Sequence, residues 1–396
     1  MRLSLCMIVK DEAELLPNCL ASVQGLVDEM VVLDTGSTDQ TVAIAKAHGA
    51  EVYESKWPND FAIARNQALQ YVQGEWVLVL DADEVLVPAM IPLLQSAIQN
   101  PNLLLINLLR QEIGANQSPY SLISRLFRRH PEIYFARPYH ELVDDSVARL
   151  IKREPNWQIG EFTQVAILHT GYQAEAIAQR RKAARARTLL EDCLAKQPQD
   201  AYVCSKLGAL YLYQAEQERG IALLEQGLAT QPSEPQVQFE LHYHLGIGYS
   251  QAAQPERAAR HYQTATQQPV PEILKLAAYN NWGNLLKDQG DLAGAKQHYQ
   301  RSLAIDPSFA PGHYNLGITL KGLGDYLGAI AAYQSALALQ PDYAEAHQNL
   351  GVVLLKLGKV AESLAAFRQA IFDLDQSNPS EANRLRQGLK EMGLPL

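Results

Sequence analysis

No stretch of the 396-residue chain reaches the roughly eighteen uninterrupted apolar residues of a membrane-spanning helix. The apolar start, Met1 to Val9, runs into Lys10-Asp11-Glu12. It is short for a secretory leader, has no small-residue cleavage site, and reads as a β-strand. Cysteine is scarce: Cys6, Cys19, Cys193 and Cys204 form neither C-x-x-C nor a zinc spacing. That argues against a disulfide framework and for a reduced, cytoplasmic setting, with any membrane contact peripheral. Basic charge is in deficit, with 34 Lys and Arg against 43 Asp and Glu and a net charge of −9. General nucleic-acid binding rests on neutralising phosphates, so nucleic acid is not expected as a partner. What remains, 47% hydrophobic and 19% charged residues, is globular composition, and the length suggests two or three domains.

The two halves have different periodicities. In the first, Leu3 to Val9, Met30 to Leu33 and Trp76 to Leu80 are apolar runs that stop at charge, as strands buried on both faces do. Helical patterns over Glu12–Val23, Thr38–His48 (with Ser37 or Thr38 as N-cap) and Phe61–Val72 separate them. This β-α-β-α order predicts a mostly parallel sheet with Asp11, Asp34 and Asp81 on its ligand-binding edge. In the second half an apolar-Gly pair recurs at Leu207-Gly208, Leu245-Gly246, Trp282-Gly283, Leu316-Gly317 and Leu350-Gly351. The last two steps are both 34 residues. A small residue and an aromatic four later follow each of the last four pairs: Ala258 and Tyr262, Ala295 and Tyr299, Ala329 and Tyr333, Ser363 and Phe367. That is the tetratricopeptide pattern of stacked helix hairpins. Ala186, Leu190 and Pro198 suggest a half repeat before it, and Asn378-Pro379-Ser380 the start of a capping helix. The expected divisions are 1–172, a connecting segment 173–200, repeats over 201–375 and a cap over 376–396.

The candidate chemistry sits at Asp81-Ala82-Asp83-Glu84, where two carboxylates follow a strand end. Such oxygens suit magnesium or manganese, which would neutralise a diphosphate leaving group; the alternative is a turn that caps the next helix. With Cys6 to Glu12, Val31 to Thr41, Asp60 to Asn66 and Trp76 to Glu84, in this order and spacing, the sequence resembles the family 2 glycosyltransferases of the GT-A fold over residues 3 to about 170. It is most similar to the soluble subgroup with a tetratricopeptide tail, which includes peptide S-glycosyltransferases of the bacteriocin type. Lys10-Asp11-Glu12 departs mildly from the subgroup's usual Lys-Asn-Glu, and the Gln-x-x-Arg-Trp motif of processive synthases is absent. The implied fold is an α/β GT-A-like nucleotide-diphospho-sugar domain followed by an all-α repeat solenoid.

The resemblance also implies roles. The loop through Val9, Asp11 and Glu12 would meet the base and ribose of the donor. Asp34 would accept the N3–H of a uracil, which makes a UDP-linked sugar the expected donor; its alternative role is an Asx turn into Thr35-Gly36-Ser37. Arg65 and Asn66 would face the diphosphate or base, and Arg65 could instead make a surface salt bridge. Asp81 and Ala82 would lie against the nucleotide, with Asp81 also touching metal-bound water. Asp83 would ligate the metal, joined by His169 of the His-x-Gly-Tyr segment. An inverting transferase needs a carboxylate to take the acceptor's proton. Glu141, beside His140, is the candidate; Asp144 and Asp145 compete, and Glu141 could instead pair with Arg137. Basic residues cluster at Arg125, Arg128 and Arg129 and again at Arg180, Arg181, Lys182, Arg185 and Arg187, either as a solvated face or as contacts to an anion.

Asn281, Asn315 and Asn349 recur every 34 residues. Amides at one repeat position can hold a peptide backbone without reading its sequence, as in the asparagine ladder of O-linked N-acetylglucosamine transferases, or can satisfy helix ends locally. The leading expectation is therefore hexosyl or N-acetylhexosaminyl transfer to a polypeptide presented by the repeats. The competing ones are a saccharide or lipid-linked acceptor with a partner protein on the repeats, and a scaffold with an inactive transferase domain.

Overall fold

The computed structural model describes residues 2–115, 118–170 and 176–394. Gly171 and Tyr172 lie outside the described residues, as do the side chains of Arg180, Arg181 and Lys182. The chain divides into two compact units, Met1–Gln214 and Ala215–Leu396.

The first unit is built on an eight-stranded sheet in the order β3-β2-β1-β4-β7-β6-β8-β5. Its strands are β1 (Leu3–Val9), β2 (Glu29–Asp34), β3 (Glu51–Glu54), β4 (Trp76–Val79), β5 (Glu84–Leu86), β6 (Leu103–Glu112), β7 (Tyr120–Arg128) and β8 (Gln158–His169). Strands β1 to β4 run parallel, as the sequence predicts. The sheet then turns mixed, because β7 is antiparallel to both β4 and β6 and β5 is antiparallel to β8. Alternate residues feed two cores. Leu3, Leu5, Met7, Trp76 and Leu78 pack on one face, and Cys6, Val31, Leu33, Val77 and Val79 on the other. Helices α1 (Leu16–Ser22), α2 (Thr41–Ala47), α3 (Phe61–Leu69), α4 (Ile91–Ala97) and α5 (Asp144–Arg153) accompany the sheet, and α6 (Ala176–Lys196) and α7 (Ala201–Tyr213) complete the unit. The α2 cap differs from expectation: the helix starts after Gln40, and Asp39, not Ser37 or Thr38, accepts the Thr41 N–H at 2.9 Å.

The second unit is helical: α8 (Gln217–Ala229), α9 (Pro235–Gln251), α10 (Pro255–Gln267), α11 (Leu276–Asp288), α12 (Leu292–Ile305), α13 (Ala310–Gly322), α14 (Tyr326–Leu339), α15 (Ala344–Lys356), α16 (Val360–Ser377) and α17 (Pro379–Glu391). The recurring glycine is a packing requirement. A Cβ on Gly317 would lie 2.5 Å from the buried Tyr333 ring, so only glycine lets α13 and α14 close. Gly324, at φ +80°, turns the chain between the same helices, where a side chain would be strained. Asn378 caps α17, accepting the Glu381 N–H at 3.3 Å.

Candidate active site

The parallel strands end together, with Val9 beside Asp34, and the loops that follow are stitched side to side. Asp11 takes a left-handed turn (φ +54°), donates its N–H to Ser37 Oγ at 2.9 Å and accepts the Thr38 N–H at 2.7 Å. The Glu12 N–H donates to Thr41 Oγ1 at 2.8 Å, and the Val9 carbonyl accepts from Thr35 N at 2.9 Å. Asp34 is buried, and its Oδ2 accepts from the N–H groups of Gly36 and Ser37, both at 3.0 Å. Its carboxylate thus makes the Asx turn, the second of the two roles considered for it.

Arg65 is the centre of the site. Helix α3 is capped by Asp60, which accepts the Ile63 N–H at 2.9 Å, and one turn later it presents Arg65, 3% exposed. A guanidinium buried that deeply needs anionic partners. Its Nη2 donates to Asp81 Oδ1 at 2.5 Å and its Nε to Glu141 Oε1 at 2.5 Å. Arg125 from β7 reaches the same two carboxylates, Asp81 Oδ2 at 3.3 Å and Glu141 Oε1 at 3.7 Å. Burial opposes the charge on Asp81, but Arg65 and Arg125 outweigh it and hold the carboxyl well below the usual range. Arg65 Nη1 and Arg125 Nη1 are buried with no hydrogen-bond partner. The surface ion pair considered for Arg65 is not what forms, because the helix turns it inward. Nor is Arg137 the partner of Glu141; it pairs with Asp145 and Asp200. Asn66 uses both ends of its amide on the Phe135 backbone, each at 2.8 Å, and so holds the segment that leads to Glu141.

A second polar chain starts at Asp83. Its Oδ2 faces His169 Nε2 at 3.1 Å, and the Asp83 carbonyl accepts the Thr170 N–H at 3.0 Å. The other ring nitrogen of His169 meets Glu112. Arg110 then joins Glu112 to the fully buried Glu84, each at 2.8 Å, and Glu84 accepts the Asp81 N–H at 2.9 Å. Burial disfavours charge on His169, but the hydrogen bonds its ring N–H groups donate to Asp83 and Glu112 prevail and raise it to about 10. Sequence reasoning missed Arg110 and Glu112. Their one signal is a pair of alternating charges at the end of the otherwise apolar β6. The four cysteines are buried free thiols, and burial pushes Cys6 to about 12, so no reactive thiolate is on offer there.

Known proteins match this arrangement in two blocks. The family described as Glycosyl transferase family 2 matches residues 4–160, and tetratricopeptide-repeat families match 274–340 and 314–379. A TPR repeat-containing protein of Synechococcus elongatus is 46% identical over 306 residues, 77% of this chain and 76% of that one. The chain belongs to the family 2 glycosyltransferases with a tetratricopeptide-repeat tail. The SPbeta prophage-derived glycosyltransferase SunS of Bacillus subtilis is 41% identical over 80 residues, 20% of this chain and 19% of SunS. Among solved structures, the TPR protein YrrB is 17% identical, with a TM-score of 0.40, over 50% of this chain and 97% of that one. Among the described residues no helix is long and apolar enough to cross a membrane.

This glycosyltransferase family generally uses a divalent ion. Among the described residues no cluster of three or more His, Cys, Asp and Glu is placed to hold a metal. Asp83 and His169 nevertheless fit as a pair. They would offer oxygen and nitrogen once a metal displaces the Nε2 proton that His169 gives Asp83 at 3.1 Å, with the other ring nitrogen still held by Glu112. Asp81, expected as a further ligand, has both oxygens on arginines.

The asparagines of the repeat unit are woven between repeats. Asn281 Nδ2 donates to Tyr243 Oη at 3.2 Å, and Asn315 Nδ2 to Asn280 Oδ1 at 3.0 Å. Asn349 donates to Tyr314 Oη at 3.3 Å and accepts from Lys321 Nζ at 2.5 Å.

Proposed function

We propose that this glycosyltransferase is inverting and metal-dependent, and that it moves a hexosyl or N-acetylhexosaminyl group from a UDP-linked donor to a polypeptide presented by the repeats. The observation that carries this reading is the Arg65–Asp81–Glu141 network with its two unpartnered guanidinium N–H groups. A buried donor without an acceptor costs about 1–3 kcal/mol, which a diphosphate oxygen would offset. In the step itself, the acceptor hydroxyl or thiol attacks the anomeric carbon as its proton passes to Glu141. The bond from that carbon to the diphosphate oxygen breaks, and the electron pair leaves with the nucleotide. Arg65 and Arg125 meet the charge that develops there. A manganese or magnesium ion on Asp83 and His169 would supply Lewis-acid chemistry to the same leaving group. Asp11, Glu12 and the turn at Asp34 would frame the base and ribose, with Ala82 against the nucleotide.

A second reading, a saccharide or lipid-linked acceptor with a partner protein on the repeats, draws on the asparagine bonds between repeats, which occupy amide groups that a peptide would need. A panel of nucleotide sugars, assayed for hydrolysis and transfer with manganese and with chelator, tests the proposal. Turnover of a UDP-sugar is expected to vanish with chelator and to drop by at least about 10²-fold in Asp83→Ala. Activity indifferent to both changes would remove the metal from the mechanism.

A further inference from the structure

The segment that carries Glu141 is a small closed loop. Ala136 and Leu142 exchange two backbone hydrogen bonds, at 2.9 and 3.2 Å, and pinch off the five residues between them. Two of those five, Arg137 (φ +73°) and His140 (φ +53°), sit in the left-handed region that side chains avoid. Such a backbone persists only where its surroundings hold it. On one side α3 does so: Phe61 N–H donates to the Pro138 carbonyl at 3.1 Å, and Arg65 holds Glu141. The other side is held from beyond the sheet. Arg137, 11% exposed, forks onto Asp200, with Nε to Oδ2 at 2.9 Å and Nη2 to Oδ1 at 3.3 Å. Its guanidinium also lies 4.9 Å over the Tyr202 ring. Asp200 is at the same time the N-cap of α7 and accepts the Val203 N–H at 3.1 Å. From α6, Arg185 stacks 4.6 Å over Trp57, next to the Phe61 ring that touches Tyr139 of the loop.

We propose that Arg137 is a positioning residue: by binding Asp200 at the start of α7 it sets the loop that aims Glu141, so the transfer step depends on the first tetratricopeptide helix. This rests on the reading of Glu141 as the acceptor-side base. The bidentate geometry matters because a fork fixes orientation as well as distance, whereas a point charge fixes distance alone.

Asp200→Asn separates this role from plain stability. Asparagine is as good an N-cap as aspartate, so α7 keeps its start while the charged fork is lost. Two readouts are taken on the full chain. Hydrogen exchange at the Ala136 and Leu142 amides is expected to speed up while the α7 amides stay protected. In transfer assays, kcat should fall between about 10- and 100-fold with the donor KM unchanged. Arg137→Lys, which keeps the charge and loses the fork, should fall between wild type and Asp200→Asn in both. Unchanged exchange at Ala136 and Leu142, or unchanged kcat in an active enzyme, overturns the proposal. If the wild type moves no sugar, the transferase reading fails by that result, and the exchange data still decide whether Arg137 holds the loop.

Discussion

The two units bury polar groups in opposite ways. In the first, Arg65, Glu84, Glu112 and Glu141 are buried each against an opposite charge, while the buried Glu29 and Asp34 accept from neutral donors. In the second, most buried polar groups are neutral, among them Asn280, Ser302, Thr319 and Ser363, with Lys275 and Asp373 the exceptions. Ser363 Oγ donates to the Gly351 carbonyl at 2.7 Å and Tyr299 Oη to Asn284 at 2.7 Å. Buried ion pairs contribute little net stability over well-packed apolar residues, so a concentration of them is better explained by what the site must meet than by what the fold requires. The buried hydroxyls of Ser302, Thr319 and Ser363 need no such explanation, since each donates to a backbone carbonyl of its own unit.

The comparison is broken most sharply at Glu141. Glu141→Gln keeps the shape and removes proton acceptance, so transfer should fall by about 10²–10⁴-fold while donor affinity, by calorimetry, stays near wild type. Near-normal transfer would hand the role to Asp144 or Asp145. A smaller effect separates the units by pH. His242 Nδ1 and His261 Nδ1 face each other at 3.0 Å between α9 and α10, with Tyr249, Glu225 and Arg257 around them. Burial, then His242 and Arg257, lower His261 to about 4, against the favourable pull of Glu225. The unfolded chain therefore binds this proton first. Stability is complete above the ordinary histidine range and declines as pH falls toward 4. Asp81 runs the other way in range: its depressed carboxyl keeps its contribution until pH falls below the ordinary carboxylate region. Hydrogen exchange at pH 7 and pH 5 should thus show α9 and α10 loosening while β1 and β4 hold, and His261→Gln should reduce the difference, leaving the share of His242, which burial also lowers. The smallest effect belongs to the triple change of Asn281, Asn315 and Asn349 to Ala. It should raise the acceptor KM modestly, since each neutral hydrogen bond contributes about 0.5–1.5 kcal/mol, and leave donor hydrolysis alone. An unchanged acceptor KM would favour the saccharide acceptor.

The strands and repeats were legible because period and spacing are local properties of a sequence. Asp81 and Asp83 follow an apolar run, and the apolar-Gly pairs recur at fixed distance. The partners were not legible. Arg65 and Glu141 are 76 residues apart, and His169 and Glu112 are 57 apart, brought opposite each other only by the parallel pairing of β6 with β8. The resemblance gives Asn66 a ligand role beside Arg65, but side chains one residue apart on a helix point in different directions, and its amide meets the Phe135 backbone. Arg137 was weighed as a partner of Glu141 from nearness in sequence; the left-handed turn between them sends the two side chains to different helices.

The stitched loops after β1 and β2 have a further consequence. Asp11, Glu12 and Ala13 are each bonded to the neighbouring loop, through Ser37 and Thr38, Thr41 and Asp39 respectively. Ordering a backbone costs roughly 1–2 kcal/mol per residue, and here that cost is met when the chain folds rather than when a ligand arrives. On the reading that these loops frame the donor, a molecule that binds there meets a rim already ordered and loses less free energy to ordering it.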